Sequence, residues 1–233
     1  MEFIIGGYVE NCKSTIETAI NFFEKKYSKS CKFEGVIKQN YFFGYIRENY
    51  AIKFQNTEIF QEKFLFKSLY YHGAPNLVKE NNLGSNLSEI VSNLQNDFIF
   101  INYSENNGLT IYVDKFAREK IYYTITPPFL FSNSLKYLIS IKKSKKLNFY
   151  ALTRFLMSGV IVGSETIFSN IKRLDIGEVL IIKKNSMNVE NYWKLSKDFF
   201  RILNHDLMDY PYWMENIYEF LKDSVNIPTK EPV

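Results

Sequence analysis

Two thiols and two imidazoles are the side chains from which nucleophilic or metal chemistry could be built: Cys12, Cys31, His72 and His205. A thiolate activated by a neighbouring imidazole would attack a carbonyl carbon and form a thioester. The spacing carries no local signature of that chemistry. A pair of Cys12 or Cys31 with His72 stays open, because such partners meet in space rather than along the chain, and a buried cysteine with a surface histidine is the simpler reading. His72 lies in the turn-prone Tyr70-Tyr71-His72-Gly73-Ala74-Pro75, where a surface histidine is expected. No C-x-x-C or H-E-x-x-H spacing exists, so no zinc-type site is expected. The ten glycines are dispersed, with no G-x-x-x-x-G-K-[ST] or G-x-G-x-x-G to cradle a phosphate and no G-x-S-x-G to present a serine. The most basic stretch, Lys142-Lys143-Ser144-Lys145-Lys146, reads as a solvated loop that could touch an anionic partner.

Any site must be positioned by elements, and the apolar periodicity supplies them. Phe3 to Val9 reads as a strand that starts in the core. Ser14 with Glu17 is a capping-box pattern, and Ile16, Ala19, Ile20, Phe23 and Tyr27 recur at helical spacing behind it. Strands are expected at Tyr41 to Ile46, Tyr50 to Phe54 and Phe64 to Tyr71, and a helical pattern runs through Leu87, Ile90, Val91 and Leu94. Phe98 to Tyr103, the turn Glu105-Asn106-Asn107-Gly108, and Leu109 to Val113 form a hairpin. Ile121 to Ile125 is a strand stopped by Pro127-Pro128, and Phe129 to Phe131 follows. Helices are expected at Ser134 to Ile141 and, behind Asn148, at Phe149 to Met157. Glu178 to Lys183 and Asn188 to Trp193 make a last hairpin. The pattern predicts an α+β fold with two packed antiparallel β-sheets flanked by helices, an αββα sandwich. The character changes near Asp198, so residues 1–204 are expected to form one domain and 205–233 an appended helix and linker. The apolar stripe of Tyr212, Ile217, Leu221 and Val225 on that helix needs something to cover it.

The 233 residues are 46% apolar and 17% aromatic, enough for a sizeable core. The net charge of +4 rests on 24 Lys and only five Arg, a lysine-solubilised surface that gives little reason to expect a nucleic-acid partner. No stretch reaches the ~18 apolar residues of a membrane helix, and the first residues lack the pattern of a signal peptide. Two cysteines cannot build a disulfide framework, which together with these points predicts a cytoplasmic protein with reduced thiols and no membrane partner.

Two segments resemble the N-terminal glutamine-amidotransferase domain of the asparagine-synthetase family, an N-terminal-nucleophile fold. Gly108 to Tyr123, followed by Phe129 to Leu138, is similar to that family's "arginine-aspartate, x, phenylalanine-glycine, x, x, x, leucine-tyrosine-tyrosine" strand pair and its "phenylalanine-alanine-serine-glutamate, x, lysine" helix entry. From Leu152 to Gly177, the pieces Phe155 to Gly159, Glu165 to Phe168, Ile171 to Leu174 and Gly177-Glu178 fall in the family's order and end in Tyr192-Trp193. The N-terminal half matches through Met1 to Gly6 and the helix after it.

The departures decide what the resemblance implies. In family members that hydrolyse glutamine, Met1 is removed and a cysteine at position 2 is the nucleophile, with its own α-amine as base; here position 2 is Glu2. A carboxylate is a weak nucleophile and gives no thioester, and methionine is not expected to be removed before so large a residue. No asparagine-glycine-glutamate run is present to hold the glutamine amide. Asp114 matches a family aspartate, but Val113, Ala117 and Lys120 replace the usual arginine, glycine and proline, and Ser134 replaces the glutamate. The resemblance therefore implies a degenerate domain with no catalytic residue of its own, as in β-lactam synthetases and lasso-peptide cyclases, where an amine of the substrate itself attacks an adenylated carboxylate. ATP and Mg are expected only in a synthetase domain, in the same longer chain or in a separate subunit. A peptide or amino acid is the expected substrate class. Two alternatives remain at this stage: a working glutaminase whose nucleophile is Cys12 or Cys31, and a binding module with no ligase partner.

Overall fold

The computed structural model describes residues 2–48, 57–60, 63–67, 91, 98–142, 146–194 and 210–225. Its first unit, Met1–Trp193, holds twelve described strands, and its second, Lys194–Val233, holds one described helix. The predicted strand at Tyr50 to Phe54, His72, His205 and all but Val91 of the helical pattern around Leu87 to Leu94 lie outside the described residues.

Alternation along the first strands sets the layers. In β1 (Glu2–Tyr8) and β3 (Tyr41–Glu48), which pair antiparallel, Ile4, Tyr41, Phe43 and Tyr45 pack into one core, while Ile5, Phe42 and Ile46 pack into another on the opposite face. Both faces are buried, so these strands read as continuous apolar runs. β2 (Cys31–Lys38) pairs with β3, while β9 (Phe129–Ser132), β8 (Tyr122–Thr124) and β10 (Ile171–Arg173) extend the other side. The sheet order is β10-β8-β9-β1-β3-β2. The second sheet runs β12-β11-β7-β6-β5-β4, with β4 (Thr57–Phe60), β5 (Lys63–Lys67), β6 (Phe98–Ser104), β7 (Gly108–Val113), β11 (Glu178–Ile182) and β12 (Met187–Asn191). Every pairing in both sheets is antiparallel.

The core between the sheets joins Ile4, Phe43, Tyr45, Tyr123 and Phe131 to Ile99, Ile101, Ile111, Val113 and Leu180. Each such side chain contributes roughly 1.5–3 kcal/mol by leaving water. Outside the first sheet, α1 (Cys12–Tyr27) and α2 (Leu135–Lys142) bury Ile16, Ala19, Phe23, Tyr137 and Leu138 against Ile5, Phe42 and Leu130. On the outer face of the second sheet Val91 packs with Phe98, Phe100, Tyr112 and Val179. The α+β arrangement of two packed antiparallel sheets flanked by helices is thus the one the sequence predicts.

Three local differences have identifiable causes. α1 begins before Ser14: Asn11 is the cap, its Oδ1 accepting the Ser14 N–H at 3.0 Å, so Ser14 is the third helical residue. β2 lacks clean alternation in its sequence, and its outer-face Ile37 is exposed, so the periodicity did not reveal it. β3 runs past Ile46 through Arg47 and Glu48 because the full length of β2 pairs with it. By contrast, α3 (Phe149–Ser158) is capped by Asn148 as expected, with Asn148 Oδ1 accepting the Ala151 N–H at 3.2 Å. In the second unit, α4 (Tyr210–Val225) falls within the expected helix, and Met214, Ile217, Tyr218 and Leu221 are exposed along it.

Candidate functional site

The start of β1 is where the expected nucleophile position lies, and the neighbouring strands determine its surroundings. In register, Glu2 of β1 stands opposite Arg47 of β3, which stands opposite Lys32 of β2. Residues two apart share a face, so Glu2, Arg47 and Lys32 belong to the face that Ile4 and Tyr45 present to the other sheet. The side chain of Glu2 itself is outside the described set.

Around this position β1 stays paired with β3, but on its other edge Asn133 and Ser132 take over from the strand β9. The ladder to β9 ends at Ile5 opposite Ser132. Beyond it, Ile4 N–H donates to Asn133 Oδ1 at 3.0 Å, Asn133 N–H donates back to the Ile4 carbonyl at 3.3 Å, and Ser132 Oγ donates to the same carbonyl at 2.7 Å. One residue earlier, the ring of Phe3 stacks on Phe23 of α1 at 4.0 Å between centroids. The first residues of the strand are therefore tied at one edge by polar clamps, at the other by β3, and on the helix-side face by an aromatic stack.

The charged groups of this end form one network. Glu34 Oε1 accepts from Arg47 Nη2 at 2.5 Å, Lys32 Nζ lies 2.7 Å from the same oxygen, and Tyr45 Oη donates to Glu34 Oε2 at 2.5 Å. Arg47 is buried and Glu34 is only partly exposed. Desolvation pushes the Glu34 carboxyl upward, but the hydrogen bonds from Lys32, Tyr45 and Arg47 outweigh it and hold it at about 2. A guanidinium at the mouth of the sandwich is thus matched by a carboxylate of the same chain. The sequence reading missed Arg47 and Glu34 as a pair. The signal was present in Tyr41, Phe43, Tyr45 and Arg47, an inward-facing series that ends on a charge.

Neither thiol joins this cluster. Cys12 opens α1, past the opposite end of β1, and its Sγ donates to the Gln39 carbonyl at 3.7 Å. Cys31 lies at the same end of the sheet as Glu2, but two strands away, a separation of about 10 Å at the usual strand spacing. It also packs with the helix-side core instead of the inter-sheet face. Burial pushes both thiols up, and Glu24 and Glu48 push Cys31 further. Both changes disfavour the thiolate.

Two other residues singled out in the sequence have structural roles. Asp114 is buried, and its carboxylate accepts the Phe116 and Arg118 N–H groups at 2.9 and 3.1 Å, fixing the turn after β7. Lys142 does not sit in a solvated loop: its Nζ donates to the Thr126 carbonyl, to Thr126 Oγ1 at 3.2 Å and to the Pro127 carbonyl at 2.7 Å. Burial lowers its pKa to about 8, while three acceptors around one ammonium favour the charged form. Lys146 is exposed, and Lys143 to Lys145 lie outside the described residues. Among the described residues no three His, Cys, Asp or Glu side chains converge to hold a metal ion, and no helix is long and apolar enough to cross a membrane.

Comparison with known proteins adds a family resemblance. Residues 81–193 match the glutamine amidotransferase domain family. No curated protein matches the chain. Among solved structures, glutamine phosphoribosylpyrophosphate (PRPP) amidotransferase from B. subtilis, complexed with ADP and GMP, aligns with a TM-score of 0.46 at 10% identity. The alignment covers 84% of this chain and 50% of that one, so this chain spans about half the length of the protein it matches.

Proposed function

We propose that this glutamine-amidotransferase-like domain serves, without hydrolysing glutamine, as the N-terminal scaffold or substrate-binding module of an asparagine-synthetase-like, ATP-dependent amide ligase. The observation that carries the reading is the occupant of position 2. Glutamate stands at the first residue of β1, opposite Arg47, while Cys12 lies past the opposite end of the strand and Cys31 two strands away on the helix-side face. An acyl transfer from glutamine through a thioester needs a thiolate at that place, and a carboxylate there gives no equivalent intermediate.

A ligase of this kind draws its amine from the substrate itself and needs no ammonia, which is the logic of β-lactam synthetases and lasso-peptide cyclases. In this reading the ATP and Mg belong to the synthetase part, either in a longer chain or in a separate subunit. The domain supplies an ordered sandwich and a surface for a peptide or amino-acid substrate, with maturation of a peptide as the setting. The helical stripe of Met214, Ile217 and Leu221 in the second unit supports a docking role toward the synthetase part. Both cysteines are unbridged, which suits the reducing cytoplasm.

The test uses the full chain and glutamine. Glutamate release is followed by a coupled assay, while a glutamine analogue with an electrophilic diazoketone is offered as an alkylating probe and its adducts are mapped by mass spectrometry. The expected result is no glutamate above the buffer blank and no adduct on Cys12 or Cys31. Turnover accompanied by an adduct on either thiol would overturn the proposal and establish a glutaminase. Binding to a separately expressed synthetase domain, weakened when residues 205–233 are deleted, distinguishes the ligase module from a binding module without such a partner.

A further inference from the structure

Two cations stand directly opposite each other across one strand pair. Lys32 of β2 and Arg47 of β3 are register partners on the face turned toward the other sheet. Like charges in that relation repel, so the pairing needs a counter-charge between them. Glu34 supplies it with both carboxylate oxygens. Oε1 accepts from Arg47 Nη2 at 2.5 Å and lies 2.7 Å from Lys32 Nζ, while Oε2 accepts from Tyr45 Oη at 2.5 Å.

Burial divides these four side chains into host and guest. Tyr45 and Arg47, two residues apart on β3, are 2% and 7% exposed, and the guanidinium carbon lies 5.8 Å from the centre of the Tyr45 ring. Both donors are thus held by the packing around them. The Glu34 side chain is 27% exposed and comes from β2, the last strand of its sheet, so the carboxylate sits between buried donors and water. A guanidinium, an ammonium and a phenol on the two oxygens of one planar group are a donor set made for a carboxylate, and here the chain fills it from within. A tethered group acts at an effective concentration on the order of millimolar or above, which a free carboxylate in dilute solution does not match.

We propose that Arg47, Tyr45 and Lys32 form a carboxylate receptor that Glu34 keeps shut as an autoinhibitory contact, and that the receptor takes a small aliphatic carboxylate such as acetate once the Glu34 side chain is removed. The intact chain accordingly holds no amino acid by its carboxylate at this end of the sandwich. The contact does not depend on the ligase reading, because it follows from four side chains of β2 and β3 alone.

Thermal melting of the full chain in sodium acetate and in sodium chloride, each at about 200 mM and pH 7, tests it on the unsubstituted protein, Glu34→Ala and Glu34→Gln. The general salt effect of acetate is read from the unsubstituted protein, whose receptor is occupied, and from Glu34→Gln, whose amide fills the same space. With acetate half-saturating at tens of millimolar, Glu34→Ala should gain about 3–5 °C in acetate over chloride beyond the difference shown by the other two. The gain should saturate with acetate concentration and shrink when the bulkier pivalate replaces acetate. Lys32→Met/Glu34→Ala removes one of the opposed cations together with the carboxylate, and it answers the question if the single variant does not fold. It keeps Arg47 and Tyr45, and a smaller gain in acetate is expected. Equal salt differences in all the proteins overturn the proposal, because the donors then recognise no free carboxylate. An acetate gain in the unsubstituted protein as large as in Glu34→Ala overturns it too, because Glu34 then closes nothing.

Discussion

Glu34 and Arg47 face each other across adjacent strands, with Oε1 and Nη2 2.5 Å apart, and the guanidinium is much the more buried of the two. The pair sits at the end of the inter-sheet core next to the first residue of β1, with Lys32 on the same carboxylate oxygen. Glu34→Gln removes this carboxylate from the network and leaves the buried Arg47 facing a neutral amide. A loss of about 2–3 kcal/mol in urea unfolding at pH 7 is expected, below the full cost of breaking a fully buried pair because Glu34 keeps some contact with water.

The same pair gives an acid signature. Glu34 is held at about 2 in the fold, and an unfolded glutamate titrates near ~4.3. A depressed carboxyl contributes stability that is complete above the unfolded value and is lost as pH falls from there toward about 2. Urea midpoints measured from pH 7 to pH 2 should show wild type losing more stability than Glu34→Gln below about pH 4.5. Parallel curves for the two proteins would remove Glu34 as the cause.

Asn133 and Ser132 act as the clamp that holds β1 beyond the end of its ladder to β9. Asn133→Ala deletes the acceptor of the Ile4 N–H, at an expected cost of about 1–2 kcal/mol. Hydrogen exchange should find the Ile4 amide deprotected, with the amides of β6 and β7 unchanged. Equal loss of protection in both sheets would mean global unfolding in place of a local release.

Gly6 is required by close approach. A Cβ there would stand 2.4 Å from Phe131 Cζ and 2.8 Å from the Phe42 carbonyl oxygen, and β1 is held by strands on both sides. Gly6→Ala should cost about 3 kcal/mol or more. Adding Phe131→Leu should recover part of the steric loss, visible as a favourable coupling in a double-mutant cycle. Additive losses would place the clash on the backbone oxygen alone.

The thiols provide a separate chemical test. With burial raising both, alkylation by iodoacetamide should be slow at neutral pH and still rising at pH 9, with Cys12 slower than the less buried Cys31. A plateau reached below pH 8 for either thiol would mean an activated thiolate and would reopen the glutaminase reading.

That residue 2 is a glutamate needed no structure, whereas its place at the start of β1 opposite Arg47 is decided by strand register. The two-sheet sandwich was also legible, since Phe98 to Val113 and Glu178 to Trp193 alternate or run apolar between clear turns, and Asn148 announces α3 by the hydrogen bond its side chain can make. Other features are tertiary. β2 is specified by pairing with β3 more than by its own mixed pattern, and the contact of Glu34 with Arg47 depends on a register that neither strand encodes alone. Asn11 rather than Ser14 caps α1 because only the folded backbone decides which oxygen reaches the open N–H. The sharpest case is α3, where Phe149, Tyr150, Leu156 and Met157 are exposed and Ala151 is the buried residue. Periodicity locates an apolar face, but the direction that face points is set by what the rest of the chain has already covered.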